Sequence, residues 1–282
     1  MGMERRNDSI LFAPCKYFIA YFDILGYESM ITTDKDVAGV AWKIYEGIRT
    51  LKNESNVNNK DIQLYGLFDK DDFLIENYVI KHKLFSDNFF LCSKKNWMEI
   101  LLISAKLQKY LITQGIFVRG SLCYGSLFFS EDFICGKGII SAYHIENKIA
   151  IYPRMVVDNS FNDGVTEQFD YPKDATPSQG LGHFKTDFDR LQFLNYLDVR
   201  GPMELGGYIL PIYSKIVADT GILDIEYAFV QCHKEEIVKS LKINGNNLRV
   251  FEKYKWCLNY HNDFCEKRGF NELLIDNIDE FV

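Results

Sequence analysis

The sequence YFIAYFDILGYESMI, residues Tyr17 to Ile31, places a carboxylate in an apolar setting. Six of the seven residues before Asp23 are apolar or aromatic, which predicts a buried strand, and the run breaks at Gly26. A carboxylate is awkward at the end of a core strand, because burial disfavours its charged form. The residues around Asp23 therefore have to explain why it is there.

Composition limits the possible answers. The chain has 282 residues, of which 47% are hydrophobic and 25% charged, so it can bury a sizeable core as an ordinary globular protein. Its net charge of -7 argues against a general binder of the nucleic-acid backbone, which normally has a basic face. An anionic ligand would need a local basic pocket or a metal ion.

Two features predict a cytoplasmic protein that does not enter a membrane. The seven cysteines form no CxxC pair, and reduced thiols in a cytosolic protein are the simplest account of them. The first residues, MGMERRNDSI, are too polar for a secretory signal, and no apolar run approaches the roughly 20 residues needed to cross a bilayer.

The hydrophobic pattern of the first 158 residues alternates between strand and helix periods. The predicted elements are a strand at about 16–23, a helix near 34–52, a hairpin over 77–92 with its turn at 86–88, a helix over 97–111, a strand region over 115–129, a helix ending at about 148 and a strand after 153. This order favours an α+β fold, in which an antiparallel sheet carries helices on one face.

The residues after 158 differ from the first part of the chain in composition and in predicted structure. Residues 160–185 are rich in Gly, Pro, Asp and Thr, which predicts a loop. Further helices are predicted near 187–199, 211–218, 233–242 and 247–268. The last helix contains Trp256 among other aromatic residues, and such side chains are costly to expose. We therefore expect it to pack on the sheet or on a partner subunit.

Asp23 acquires a possible partner in Asp87, which lies in the hairpin turn. If the two strands are neighbours, both acids reach one edge of the sheet. Mg²⁺ typically takes one or two protein carboxylates and completes its shell with water and substrate phosphates, so an acidic chain can hold a nucleoside triphosphate this way. The alternative is structural, since Asp near a turn often caps the backbone and Ser-Asp-Asn is ordinary turn chemistry.

Four segments, YFDILGY, LFSDNFFL, VRGSLCYG and GKGIISAYHIE, resemble the signature segments of the class III nucleotidyl cyclase homology domain. The resemblance covers residues 14–158 and implies a catalytic domain there, followed by a loop and helical extension over 159–282 that packs on it. FSDN, AYHIE and YPRMVVD look similar to the pyrimidine cyclases of Pycsar antiphage systems, which make cyclic uridylate or cytidylate as infection signals.

The resemblance implies a ferredoxin-like sheet and a site with two ions, Mg²⁺ or Mn²⁺. Asp23 and Asp87 would be the metal-binding acids, with the backbone carbonyl of Ile24 as an extra ligand. The ions would assist attack of the ribose 3′-oxygen on the α-phosphorus of a nucleoside triphosphate and offset charge on pyrophosphate. The family arrangement also implies a homodimer with active sites at its interface, and the cyclic product would act on a downstream effector.

Two basic residues also match the family pattern. Lys83 corresponds to the base-selecting lysine, and strand alternation places it on the same face as Asp87. A solvated lysine on an edge strand is the alternative. Arg119 matches the arginine of the third segment, where it would either pair with an acid of the fold or donate to phosphate.

The departures from the pattern affect the base and the catalytic groups. Phe133 replaces the aspartate that recognises adenine, so no acceptor for the exocyclic amine is present, and UTP or CTP is favoured over ATP. Phe133 or Tyr27 would stack on the smaller ring or crowd a purine. Ile140 and His144 replace the catalytic asparagine and arginine, and Arg154 is a candidate substitute. A degenerate cyclase-fold protein that binds a nucleotide or a partner without chemistry is the alternative function.

Overall fold

The computed structural model describes residues 14–33, 81–85, 87–129, 133–169, 183–199, 218–222 and 224–276, and scattered helical residues between 39 and 49. Nearly all of the helix predicted at 211–218 lies outside these residues. Within the described residues, no helix is both long and apolar enough to cross a bilayer.

A mostly antiparallel sheet forms the centre of the molecule. Its strands are β1 (Cys15–Ile24), β2 (Lys81–Phe85), β3 (Asn88–Ser93), β4 (Val118–Phe129), β5 (Ile134–Cys135), β6 (Met155–Val157), β7 (Phe184–Thr186) and β8 (Gln192–Leu194). They are ordered β2-β3-β1-β4-β6-β8-β7, with β5 paired to β4. The pair β4 and β6 is parallel and the other pairs are antiparallel, which confirms the α+β class.

Helices cover both faces of this sheet. They are α1 (Tyr27–Thr33), α2 (Trp97–Thr113), α3 (Lys137–Lys148), α4 (Asn159–Phe169), α5 (Ile225–Asn244) and α6 (Leu248–Arg268), with a short 3₁₀ turn at Asn271–Leu273. The helix predicted at 97–111 is α2, the one predicted to end at about 148 is α3, and the two last predictions correspond to α5 and α6.

The expectation of helices on one face needs a correction for α3. Side chains of β1 alternate, so Phe18, Ala20 and Phe22 join the core beneath α2, α5 and α6. Ile19 and Tyr21 join a second core on the opposite face, where α3 lies. The reason is the parallel pair: α3 is the crossover between β4 and β6, so it covers one face while the other helices cover the other.

The prediction of a helix at 187–199 is wrong, because this segment contains the turn that follows β7, strand β8 and a second turn. The prediction rested on apolar residues at three-residue spacing, which is typical of a helix: Phe188, Leu191 and Leu194. The turn is fixed by a hydrogen bond from the backbone of Asp187 to the carbonyl of Leu191, at 3.0 Å. Arg190 is left-handed with φ of 66°, a conformation that an α-helix does not tolerate.

The prediction of a loop at 160–185 is also wrong in its first part, because residues 159–169 form α4. Asp158 caps it by accepting from the backbone N–H of Ser160 at 3.0 Å. Gly164, a sequence signal for a loop, is required by packing: a Cβ there would lie 2.4 Å from the ring of Tyr124. Residues 170–182 of that loop lie outside the described residues, and its end at 184–185 forms the start of β7 instead. The division into two domains remains a prediction.

A buried chain of polar groups joins α5, α6 and the segment after β8. The hydroxyl of Tyr196 lies 3.0 Å from Nε2 of His233, whose Nδ1 lies 3.0 Å from Nδ1 of His261. Nε2 of His261 lies 2.9 Å from the carbonyl of Leu273. Both imidazoles are fully buried, and this burial lowers the pKa of His233 well below its usual value and that of His261 to about 4.

We expect acid to weaken the fold through these histidines. Their folded pKa lies below the unfolded value of about 6.5, so their stabilisation is complete above that pH and is lost as the pH falls below it, by up to about 1.4 kcal/mol per pH unit for each group. His183, whose pKa burial also lowers, acts in the same direction. The buried acids Asp23 and Glu146 oppose it, because burial raises their pKa.

The Glu146→Gln substitution removes most of the opposing contribution of the buried acids, and urea unfolding of this variant measures what the histidines contribute. The unfolding free energy of this chain is expected to fall between about pH 7 and pH 5.5. A constant or rising free energy over this range would show that the two histidines are not held neutral.

Candidate functional site

The site lies at the edge of the sheet where β1 ends. Asp23 is directly opposite Arg119 of β4 on one side and Asn88 of β3 on the other. The next residue, Ile24, donates its N–H to the backbone carbonyl of Asp87 at 3.0 Å. The strand ends at Ile24, and Gly26, with φ of 74°, allows the turn into α1. Asp23 and Asp87 therefore reach the same edge, as the sequence predicts.

Arg119 explains how a core strand can end in a carboxylate. Its Nε donates to Oδ2 of Asp23 at 2.7 Å, and its Nη1 donates to the carbonyl of Ala150 at 3.3 Å. Nη2 lies 2.7 Å from Oε1 of Glu146 on α3 and forms an ion pair with it. The N–H groups of Arg119 are not directed at that oxygen, so the contact is not a hydrogen bond. Of the two alternatives for Arg119, pairing with acids of the fold is the one observed.

The acids nevertheless remain crowded. Burial raises the pKa of Asp23 above its usual value, although Arg119 lowers it. Burial also raises the pKa of Glu146 to about 7, and the charge of Asp23 is the next cause. The negative charge of Asp87 raises the pKa of both Asp23 and Glu146 further. A further cation at this edge would relieve the repulsion among the three carboxylates.

The oxygens available at this edge fit a hard divalent ion. Arg119 contacts Oδ2 of Asp23, and the side-chain amide of Asn88 donates to Oδ1 of Asp87 at 2.8 Å. No donor in the described residues reaches the other oxygen of either carboxylate. Among those residues, no three His, Cys, Asp or Glu side chains converge on one point. Two carboxylates, completed by water and phosphate, are the donor set that Mg²⁺ accepts.

The residues expected to contact the base are separated. Lys83 of β2 lies with its Nζ 5.9 Å from the ring centroid of Phe129, on the α3 face of the sheet. Phe133 stacks on Phe128, with ring centroids 5.0 Å apart, and neighbouring residues of β4 point to opposite faces. Tyr27 packs against the core on the α2 face. A single subunit therefore does not bring these three side chains together.

The side chains at the two positions where this sequence differs from the catalytic residues of the family pattern point outward. Ile140 and His144 are exposed on α3, on the side of the helix that faces away from Asp23 of the same chain. Ile140 is 55% exposed and its neighbour Tyr143 is 46% exposed, which is high for large apolar side chains on a helix. Any action of His144 on the acids therefore has to come from another copy of the chain.

Arg154 has to be corrected as a catalytic candidate. Its side chain is 0% exposed and forms ion pairs with Asp187 and Asp189 in the turn between β7 and β8. The guanidinium also lies 5.4 to 5.7 Å from the centroids of three aromatic rings, including that of Trp256. These contacts show a structural role, since a group without exposed surface does not meet a phosphate.

Glu146 was missed by the sequence reasoning. It lies on the buried face of α3 beside Ala142 and Ile145, and only 4% of its surface is exposed. An acid on the apolar face of a helix was the available signal, but the sequence does not show which partner it has. Close approach of α3 to β4 sets its position, because Gly138 and Gly125 meet where a Cβ would clash.

Comparisons with known proteins give little further. No family model matches the chain, and no curated protein matches it. Among solved structures, a bacterial light-regulated adenylyl cyclase is similar at 11% identity, with a TM-score of 0.35, over 54% of this chain and 46% of that chain. A class III adenylyl cyclase-like ATP-binding protein from Pseudomonas aeruginosa is similar at 10% identity, with a TM-score of 0.34, over 55% of this chain and 36% of that chain.

The chain thus spans less than half the length of either structure. Both likenesses are too slight to carry an assignment, so a function has to be argued from the residues at the site.

Proposed function

We propose that the protein is a nucleotidyl cyclase, which converts a nucleoside triphosphate to a 3′,5′-cyclic mononucleotide and pyrophosphate. The observation that carries this proposal is the meeting of Asp23 and Asp87 at one edge of the sheet, in the segments that resemble the class III signature. In the reaction the ribose 3′-hydroxyl loses its proton to solvent and its oxygen bonds to the α-phosphorus, while the bond from that phosphorus to the pyrophosphate oxygen breaks and pyrophosphate leaves.

Asp23, Asp87 and the backbone carbonyl of Ile24 would hold divalent ions, Mg²⁺ or Mn²⁺, of which the resemblance implies two. Such ions supply Lewis-acid activation of the 3′-oxygen and offset charge on the leaving group. Arg119 holds Asp23 by one oxygen and thereby fixes the direction of the other. Glu146 and the carbonyl of Ala150 hold Arg119 in turn, so the acid is preorganised before a ligand arrives.

A homodimer would complete the site. The exposed side of α3 carries Ile140 and Tyr143, and Ile151 beyond its end is 54% exposed. Exposed large apolar side chains close together are typical of an interaction surface. The resemblance places this helix opposite the acids of a second copy, so His144 of one protomer would face the nucleotide bound by its partner.

A pyrimidine nucleotide is the proposed substrate, with UTP first and CTP second. Phe133 is 49% exposed and offers no acceptor to the exocyclic amine of adenine. Lys83 can donate to the carbonyl oxygens of uracil. We propose further that the product is a cytoplasmic antiphage signal read by a downstream effector.

The second candidate function is a cyclase-fold module that binds a nucleotide or partner without chemistry. The presence of Ile140 and His144 at the positions of the catalytic asparagine and arginine favours it. Isoleucine has no polar group with which to position a ribose. The two functions share the acid pair and differ in whether a bond is made.

The test is to incubate the purified chain with each of the four nucleoside triphosphates and Mn²⁺ or Mg²⁺. We expect pyrophosphate and a cyclic mononucleotide, with cyclic UMP or cyclic CMP dominant in equimolar mixtures, because an unpaired exocyclic amine costs adenine roughly 1 to 3 kcal/mol. Dominant cyclic AMP or cyclic GMP would contradict the pyrimidine substrate. Nucleotide binding without any cyclic product would favour the second candidate function.

A further inference from the structure

Helix α6 of the C-terminal extension reaches the edge that carries the acids. The ring of Tyr254 packs edge-on against Phe117, with centroids 5.2 Å apart. Phe117 comes directly before β4, and its carbonyl accepts from the backbone N–H of Leu25 at 2.9 Å. The first half of α6 therefore lies where β1 ends and β4 begins, close to Asp23 and Arg119.

Lys253 is the basic residue of α6 that faces this edge. It lies three positions before Trp256, so the two side chains share one side of the helix. Trp256 stacks on Tyr152, with centroids 6.1 Å apart and an angle of 18°. Tyr152 follows two residues after Ala150, whose carbonyl holds Arg119. The backbone of Lys253 thus lies next to Tyr254, which contacts the start of β4, and one turn before Trp256, which contacts the loop after α3.

The charges around Lys253 agree with this placement. Asp23 and Glu146 attract its ammonium group, while Arg119 repels it. Burial lowers the pKa of Lys253, and Arg119 and Arg249 lower it further. No hydrogen bond or ion pair joins its Nζ to another group in the described part of the chain. A half-buried cation that pairs with no described residue and lies next to a cluster of acids is a candidate for ligand binding.

We propose that Lys253 binds the triphosphate chain of the substrate, as a cation supplied by the C-terminal extension to the acid pair of its own chain. The inference rests on the proposed function, because it assumes a nucleotide at Asp23 and Asp87. A polyphosphate needs positive groups in addition to divalent ions. His144 faces away from Asp23 of its own chain and Arg154 is buried, so Lys253 is a cation of the described residues that remains available at this edge beside Arg119.

The test compares Lys253→Met with the wild-type chain in two binding measurements. The first uses 3′-deoxy-UTP and 3′-deoxy-ATP with Mn²⁺, which lack the attacking oxygen and cannot be cyclised. Their Kd is expected to rise about 10-fold or more, because a charged hydrogen bond to phosphate is lost. The second uses Mn²⁺ alone, and it is expected to bind at least as tightly as before, because a repelling charge beside the acids has been removed.

Weaker binding of the triphosphate without weaker binding of Mn²⁺ distinguishes a role of Lys253 in ligand binding from a structural role. Weakening of both Mn²⁺ and triphosphate would mean that Lys253 only supports the fold, and would overturn the proposal. Lys255→Met is the matched control: Lys255 lies on the same helix, 3.6 Å from Glu252 in a surface ion pair, and its loss should leave both Kd values unchanged. Lys253→Arg should restore most of the triphosphate affinity.

The outcomes distinguish this inference from the proposed function. If the wild-type chain binds neither 3′-deoxy nucleotide with Mn²⁺, both proposals fail together. If it binds them and Lys253→Met binds them equally well, the nucleotide site at Asp23 and Asp87 is supported and only the proposal for Lys253 fails.

Discussion

Replacing Asp87 by asparagine is expected to abolish cyclic nucleotide formation while leaving the fold intact. The carboxylate is half-buried in the β2–β3 turn and has no ion pair in the described residues. Asparagine keeps the size and one acceptor oxygen but removes the charge that would hold a divalent ion. The expected loss in kcat is at least about 100-fold, since charge stabilisation in the transition state depends on that ion. The rate of pyrophosphate release measures it.

Asp163→Asn is the matched control, because Asp163 is an exposed carboxylate on α4, on another part of the surface. Its rate should equal that of the wild-type chain. Asp163→Asn should unfold at the wild-type urea concentration, and Asp87→Asn at the same or a slightly higher one, because a charge that repels Asp23 and Glu146 is removed. Full activity in Asp87→Asn would exclude the two-acid site. Asp23 is a poorer choice for this test, since its loss also removes an ion-pair partner from Arg119.

The parts of the fold with strong local signals were predictable. The apolar run before Asp23 gave β1, and the turn residues around Asp87 gave the β2–β3 hairpin. Local chemistry was misleading where a tertiary contact decides the structure. Gly164 lies inside α4 because it meets Tyr124, a residue 40 positions earlier that no sequence window contains.

The candidate site was predictable to the same degree. Asp23 and Asp87 each end or join a strand with a clear pattern, and pairing of the strands brings them to one edge. Glu146 and Lys253 come to this edge through packing of α3 and α6, over separations of more than 100 residues from Asp23. Periodicity indicates that a residue is on a helix, but not which strand edge that helix reaches.

Arg154 shows why an isolated basic residue is hard to interpret from sequence. Its position after Pro153 at the start of a strand is compatible with a surface side chain or a phosphate ligand. Asp187 and Asp189, which neutralise it, lie in a segment whose predicted structure was wrong. Trp256 of α6 adds a hydrogen bond to Oδ2 of Asp187 at 2.6 Å. Arg154 therefore connects the start of β6, the β7–β8 turn and α6, and holds α6 against the sheet.

Arg154→Met is consequently expected to lower the unfolding free energy by about 3 kcal/mol or more, because Asp187 and Asp189 lose the charge that compensates them. Urea unfolding measures the change, with Arg249→Met as an exposed control on α6 that should stay within about 0.5 kcal/mol of the wild-type value. The triple variant Arg154→Met, Asp187→Asn, Asp189→Asn should regain part of the loss, because no uncompensated carboxylate remains and methionine can occupy the space among the rings. If the triple variant is less stable than Arg154→Met alone, the destabilisation comes from lost packing and not from unpaired charge. If Arg154→Met is as stable as the wild-type chain, the ion pairs contribute nothing to the contact between the sheet and the C-terminal helices.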